Sequence, residues 1–137
     1  MKIAALVIFI VCLGFISEWT YRTFFRPIAP LEPVVNQIAA FFNANGVEVR
    51  PYAVRSMFPY SEVSSAAALE IKGYPLPISL IVCPNEEAAL KQLESAKLNK
   101  NLLYPTKNGL VVMNLPMWGE GTEEMANRVV SIFSQFK

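Results

Sequence analysis

Ile78-Ser79-Leu80-Ile81-Val82-Cys83-Pro84-Asn85-Glu86-Glu87 is the stretch from which the fold is read. Ile78 to Cys83 is an apolar run of one strand's length, the pattern of a central strand rather than a half-exposed one. Pro84 ends it. Asn85 is a good N-cap, and Glu86 and Glu87 stand where the positive end of a helix dipole favours carboxylates. Ala89, Leu90, Leu93 and Ala96 then recur at helical spacing and form the expected buried stripe of that helix.

Working outward, Leu102 to Thr106 and Leu110 to Leu115 flank Lys107-Asn108-Gly109, a hairpin signal because Asn-Gly tolerates positive φ. Pro105 makes the first of these strands an edge or puts a bulge in it. A last helix is expected from a Thr122 cap, with Met125, Val129, Ile132, Phe133 and Phe136 on one face. On the N-terminal side, Ala67, Leu69 and Ile71 alternate with Ala68, Glu70 and Lys72 before the turn Gly73-Tyr74-Pro75. Val47, Val49 and Val54 suggest another strand, interrupted at Pro51, with a loop from Ser56 to Ser65 after it. Leu31, Val34, Val35, Ile38 and Phe42 have helical spacing, with Pro33 in the first turn and Gly46 as the stop.

The order is helix, three strands, helix, two strands, helix. It implies an α+β domain over residues 34–137, a single mostly antiparallel sheet of about five strands with three helices packed on one face. A proline-rich spacer over 27–33 precedes it, its prolines favouring extended backbone.

Residues 1–26 have another character. An uncharged run from Ile3 to Ser17 follows Lys2, and then Trp19, Tyr21, Arg22 and Arg26 crowd together. The run rises only about 22 Å, less than the ~30 Å of a hydrocarbon core. Trp and Tyr rings settle at headgroup level and arginines snorkel into water, so these four residues extend the segment into a membrane interface. The expectation is an N-terminal transmembrane anchor, single-pass, with the short tail inside and the domain on the extracytoplasmic side. The alternative is a signal segment and a protein secreted after cleavage. Against cleavage, Cys12-Leu13-Gly14 is the nearest match to a small-x-small site, and Ala29 is followed by Pro30.

The chain has no His, and all its acids are Glu. Triads and metal sites built on imidazole are therefore excluded, and calcium loops lack their usual Asp. No metal and no cofactor are expected. Glu120, Glu123 and Glu124 cluster, but a charge-complemented helix start explains them. The Gly119-Glu120-Gly121-Thr122 turn lacks the lysine and third glycine of a phosphate loop. Beyond residue 26, acids outnumber bases by one, so nucleic acid is not an expected partner. The two cysteines lie in different contexts, Cys12 in the apolar segment and Cys83 at a strand end, and are not expected to pair.

Cys83 is the best catalytic candidate, sitting between a strand and a helix N-terminus where a thiolate gains stabilisation. Glu86 and Glu87 oppose that anion and no base is available, so a structural cysteine is expected. A Ser95–Lys97 dyad fails because side chains two apart on a helix do not face each other. What remains is apolar material in loops: Met57, Phe58 and Tyr60 in one, Met117 and Trp118 in another. Their ordinary use is to cover the end of a core; exposed together, they form a contact surface. The expected function is a membrane-tethered, non-enzymatic domain that binds or scaffolds a protein partner. The alternative is a small ligand-binding domain, or an enzyme using Cys83 or a carboxylate.

Overall fold

The computed structural model describes residues 2–24, 27–117 and 122–137. The protein is α+β, with four helices and one antiparallel five-stranded sheet among the described residues. The elements are α1 (Lys2–Phe24), α2 (Pro33–Ala44), β1 (Val49–Val54), β2 (Ser65–Ile71), β3 (Ile78–Val82), α3 (Glu86–Lys97), β4 (Leu102–Asn108), β5 (Val111–Pro116) and α4 (Thr122–Gln135). In space the strands run β1-β2-β3-β5-β4. The apolar run of β3 therefore holds the middle position that its composition demands.

Register sorts the side chains into two faces. Leu69 lies opposite Ile78, Leu80 opposite Met113 and Leu103 opposite Leu115, and all of them join one core with α2 and α4. One residue along, Ile81 lies opposite Val112, and these join a second core with Val63, Cys83, Ala88 and Ala89 under α3. The expectation that all helices lie on one face is thus corrected. β4 and β3 both pair antiparallel with β5 and so run parallel to each other. A parallel pair needs a crossover, and α3 supplies it on the face that α2 and α4 leave free.

The buried stripe of α3 is also corrected. Ala88, Ala89, Gln92 and Ala96 are buried, Leu93 only partly so, and Leu90 is 46% exposed. Alanines let a helix approach a sheet closely, and that approach turns the flanking Leu90 outward. Asn85 caps this helix as expected, accepting a 2.9 Å bond from the Ala88 N–H.

Pro51 does not interrupt β1, which runs through it. As the first strand of the sheet β1 has a free edge, where a missing N–H costs nothing. Asn43 covers the same edge one pair earlier: its Oδ1 accepts from the Val49 N–H at 3.1 Å and its Nδ2 donates to the Val49 carbonyl at 3.3 Å. On the opposite edge β4 slips register between Leu103 and Thr106, with Tyr104 at φ 45° and Pro105 beside it. Both edges thereby carry features that disfavour further strand pairing.

In the β4–β5 hairpin the two-residue turn is Gly109-Leu110, with Gly109 at φ 56°. Asn108 is the last strand residue instead of a turn residue. Its Nδ2 donates to the carbonyls of Phe133 and Phe136, both at 2.7 Å, joining the Phe136 N–H on the Phe133 carbonyl and holding the end of α4. Phe136 in turn meets Phe41 edge to face, centroids 5.7 Å apart, which ties α4 to α2.

The expected membrane span is not shown. Among the described residues no helix is long and apolar enough to cross a membrane. What the structure carries is a helix over Lys2–Phe24 whose side chains from Ile3 to Ser17 are exposed.

Candidate functional site

The loop after β1 is pinned at its base and exposed at its tip. Ser56 and Val63 are buried, Glu62 and Val63 donate to the Pro59 carbonyl at 3.0 and 2.9 Å, and Ser64 donates to the Val82 carbonyl at 2.8 Å. Glu62 pairs with Lys91 of α3. Between these anchors Met57, Phe58 and Tyr60 are exposed.

That tip shares its end of the sheet with the β4–β5 turn. The Cys83 N–H donates to the Leu110 carbonyl at 2.8 Å, so the two loops flank the end of β3. Met117 follows Pro116 at the opposite end, its N–H bonded to the Asn101 carbonyl at 2.8 Å. Six strand residues, about 17–20 Å, separate the two ends. The structure therefore places Met57, Phe58 and Tyr60 at one end of the sheet and Met117 at the other. Trp118 lies outside the described residues, as does Arg26; Trp19, Tyr21 and Arg22 fall within α1.

Cys83 is buried among Val63, Ile81, Ala88, Ala89 and Val112. Burial pushes its thiol above the ordinary 9.0, with the Lys107 charge pulling partly the other way. A thiol held neutral is a poor nucleophile. Lys107 itself is engaged with Glu86 at 2.6 Å.

The carboxylates are dispersed. Glu48 pairs with Lys72 at 2.8 Å, Glu94 with Lys97 at 2.7 Å, and Glu70 with Arg50. The Glu48 carboxylate, through its hydrogen bond and its charge, raises the pKa of Lys72. Among the described residues no group of three or more His, Cys, Asp or Glu could hold a metal ion; Glu120 lies outside them. A shallow depression is lined by Glu48, Val49, Arg50, Glu70, Ile71 and Lys72. It is open, and its charges pair off across the strands, unlike the concave apolar pockets that take small ligands.

One surface escaped the sequence reading. α3 packs over β4 and β5, and among the described residues no helix packs on the same face of β1 and β2. Tyr52, Val54, Ala66 and Ser79 are partly exposed there. Across from Ser79 on β5, Asn114 is only 9% exposed, and its Oδ1 has no hydrogen-bond partner. The signal was available: Ala66, Ala68 and Ser79 are small residues at the alternate positions of two paired strands, where a covered face would carry large ones.

The fold defines a class: an α+β domain whose antiparallel sheet is covered fully on one face and partly on the other. No protein-family model matches the chain, and no curated protein or solved structure matches it.

Proposed function

We propose that this chain is a membrane-tethered, non-enzymatic domain, held on the extracytoplasmic side, that binds or scaffolds a protein partner. The observation that carries the reading is the surface of α1. Ile3, Val7, Val11, Ile8, Ile16 and Leu13 are between 49% and 80% exposed, and at about 100° per residue they are spread round its whole circumference. A helix apolar all round needs apolar surroundings. The uncharged run reaches ~30 Å only if the following aromatic and arginine residues serve as interface, which is the use their chemistry favours.

Alkaline carbonate extraction of the full-length protein tests the tether. The protein stays with the membranes, whereas a Leu6→Lys/Phe9→Lys variant is released, each lysine costing about 2.5–3.5 kcal/mol near the centre of a bilayer. Release of the unaltered protein would overturn the reading. The orientation is tested by added protease, which digests residues 27–137 from the extracytoplasmic side while the membrane that holds α1 stays intact.

Partner binding is supported by the uncovered half-face around Tyr52 and by the unpartnered Asn114 carbonyl beside Ser79. Cys83, buried and with its thiol raised, argues against the enzymatic alternative. A companion co-purified from solubilised membranes is lost with Tyr52→Ser and kept with Leu98→Ser, a change at an exposed residue that ends α3, outside the uncovered half of that face.

A further inference from the structure

The chain enters the domain at a particular end of the sheet. A short turn through Gly46 joins α2 to β1, and Asn43 near the end of α2 is bonded to Val49 at the start of β1. The helix therefore runs back alongside the strand, which brings Pro33, its first residue, to the Val54 end. At that end also lie the Met57-Phe58-Pro59-Tyr60 tip, the Gly109-Leu110 turn and the close of α4 on Asn108. Met57, Phe58, Tyr60 and Leu110 are exposed there, the last two 60% and 41%. Ile28, in the segment leading in, is exposed as well.

Between Phe24 and Pro33 the chain spans at most about 30 Å fully extended. A domain tethered through that segment has its Val54 end held near the surface in which α1 lies. Large apolar and aromatic side chains on a pinned loop are what an interface of headgroups and upper acyl chains accepts. Charges of both signs stand nearby: Lys91 and Lys107 are engaged by Glu62 and Glu86, Glu87 is exposed beside them, and Arg55 is exposed at the start of the loop.

We propose that Met57, Phe58, Tyr60 and Leu110 form a second membrane contact, resting this end of the domain on the lipid surface that holds α1. The proposal depends on the tether proposed above. It leaves the open half-face around Tyr52 standing clear of the bilayer, free for a partner. Apolar insertion drives the contact, so it forms on phosphatidylcholine alone and is insensitive to salt.

The test uses full-length protein in phosphatidylcholine vesicles, with Cys12→Ser and an environment-sensitive fluorophore on Tyr60→Cys, on Met57→Cys or, as reference, on Leu98→Cys. Leu98 is 84% exposed and follows α3 at the opposite end of the sheet. The labels at 57 and 60 shift their emission to the blue and are quenched by doxyl-labelled lipid, while the label at 98 stays in water. Protein that floats with its vesicles but keeps all three labels in water overturns this contact and leaves the tether standing. Labels at 57 and 60 shielded from aqueous iodide, yet untouched by doxyl lipid, assign the loop to a protein neighbour and also overturn it. Protein that fails to float overturns the tether and the contact together.

Discussion

On the face packed by α2 and α4, the fully buried side chains include Phe42, Phe133, Ile38, Leu69, Leu80, Met113 and Leu115; under α3 the buried set is Val63, Ile81, Cys83, Ala88, Ala89 and Val112. The first face is filled by large groups reaching across from sheet and helices. The second is closed by bringing α3 down on alanines, so it buries less apolar area and tolerates polar neighbours: Gln92 and Asn114 are buried there. The two faces should therefore fail in opposite ways, one through loss of volume and the other through gain.

Phe133→Ala tests the first face and carries the largest expected effect. Its ring is wholly buried, and truncation leaves a cavity that costs about 3–5 kcal/mol. Denaturant titration should read this as a lower midpoint with the slope unchanged. A loss below 1 kcal/mol would mean that α4 is loosely held.

Ala89→Leu tests the second face by overfilling it. Ala89 has no exposed surface, so the added carbons force α3 outward at a cost of about 1–3 kcal/mol. An unchanged midpoint would show that the close approach of α3 is not what seals this face, and the contrast would dissolve.

Cys83→Ala is expected to cost least, about 1 kcal/mol at neutral pH. Its sharper signature is alkaline. The folded thiol is raised above 9.0, so as pH climbs past about 9 the unfolded chain loses its proton first. The stability that Cys83 contributes is whole below that pH and is lost as pH rises through the folded value. Thermal midpoints should therefore fall less steeply above pH 9 in Cys83→Ala than in the parent. Tyr74, also raised by burial, gives both proteins a further decline from about pH 10. Equal slopes would place the thiol in water.

Much of the architecture was legible from local pattern, because the spacing of apolar residues reports which sides of a strand or helix avoid water. Alternation in Ala67, Leu69 and Ile71 identified the inner residues of β2, and the apolar length of β3 identified the centre of the sheet. The candidate site was less legible. Apolar loops were visible as composition, yet composition says nothing about which end of a sheet a loop occupies.

By itself, then, the sequence determined the α+β class, the central strand, the capped start of α3, the proline that marks β4 as an edge, and the absence of imidazole chemistry. Each of these depends on a residue and its close neighbours in the chain. The tertiary structure decided that α3 lies opposite α2 and α4, that Leu90 faces water, and that Asn108 closes α4 instead of making a turn. It also decided that Met57 and Met117 stand at opposite ends. These depend on β5 inserting between β3 and β4, a pairing of segments separated along the chain. Several pairings can satisfy the same local periodicity, and the choice among them falls to the packing of the whole.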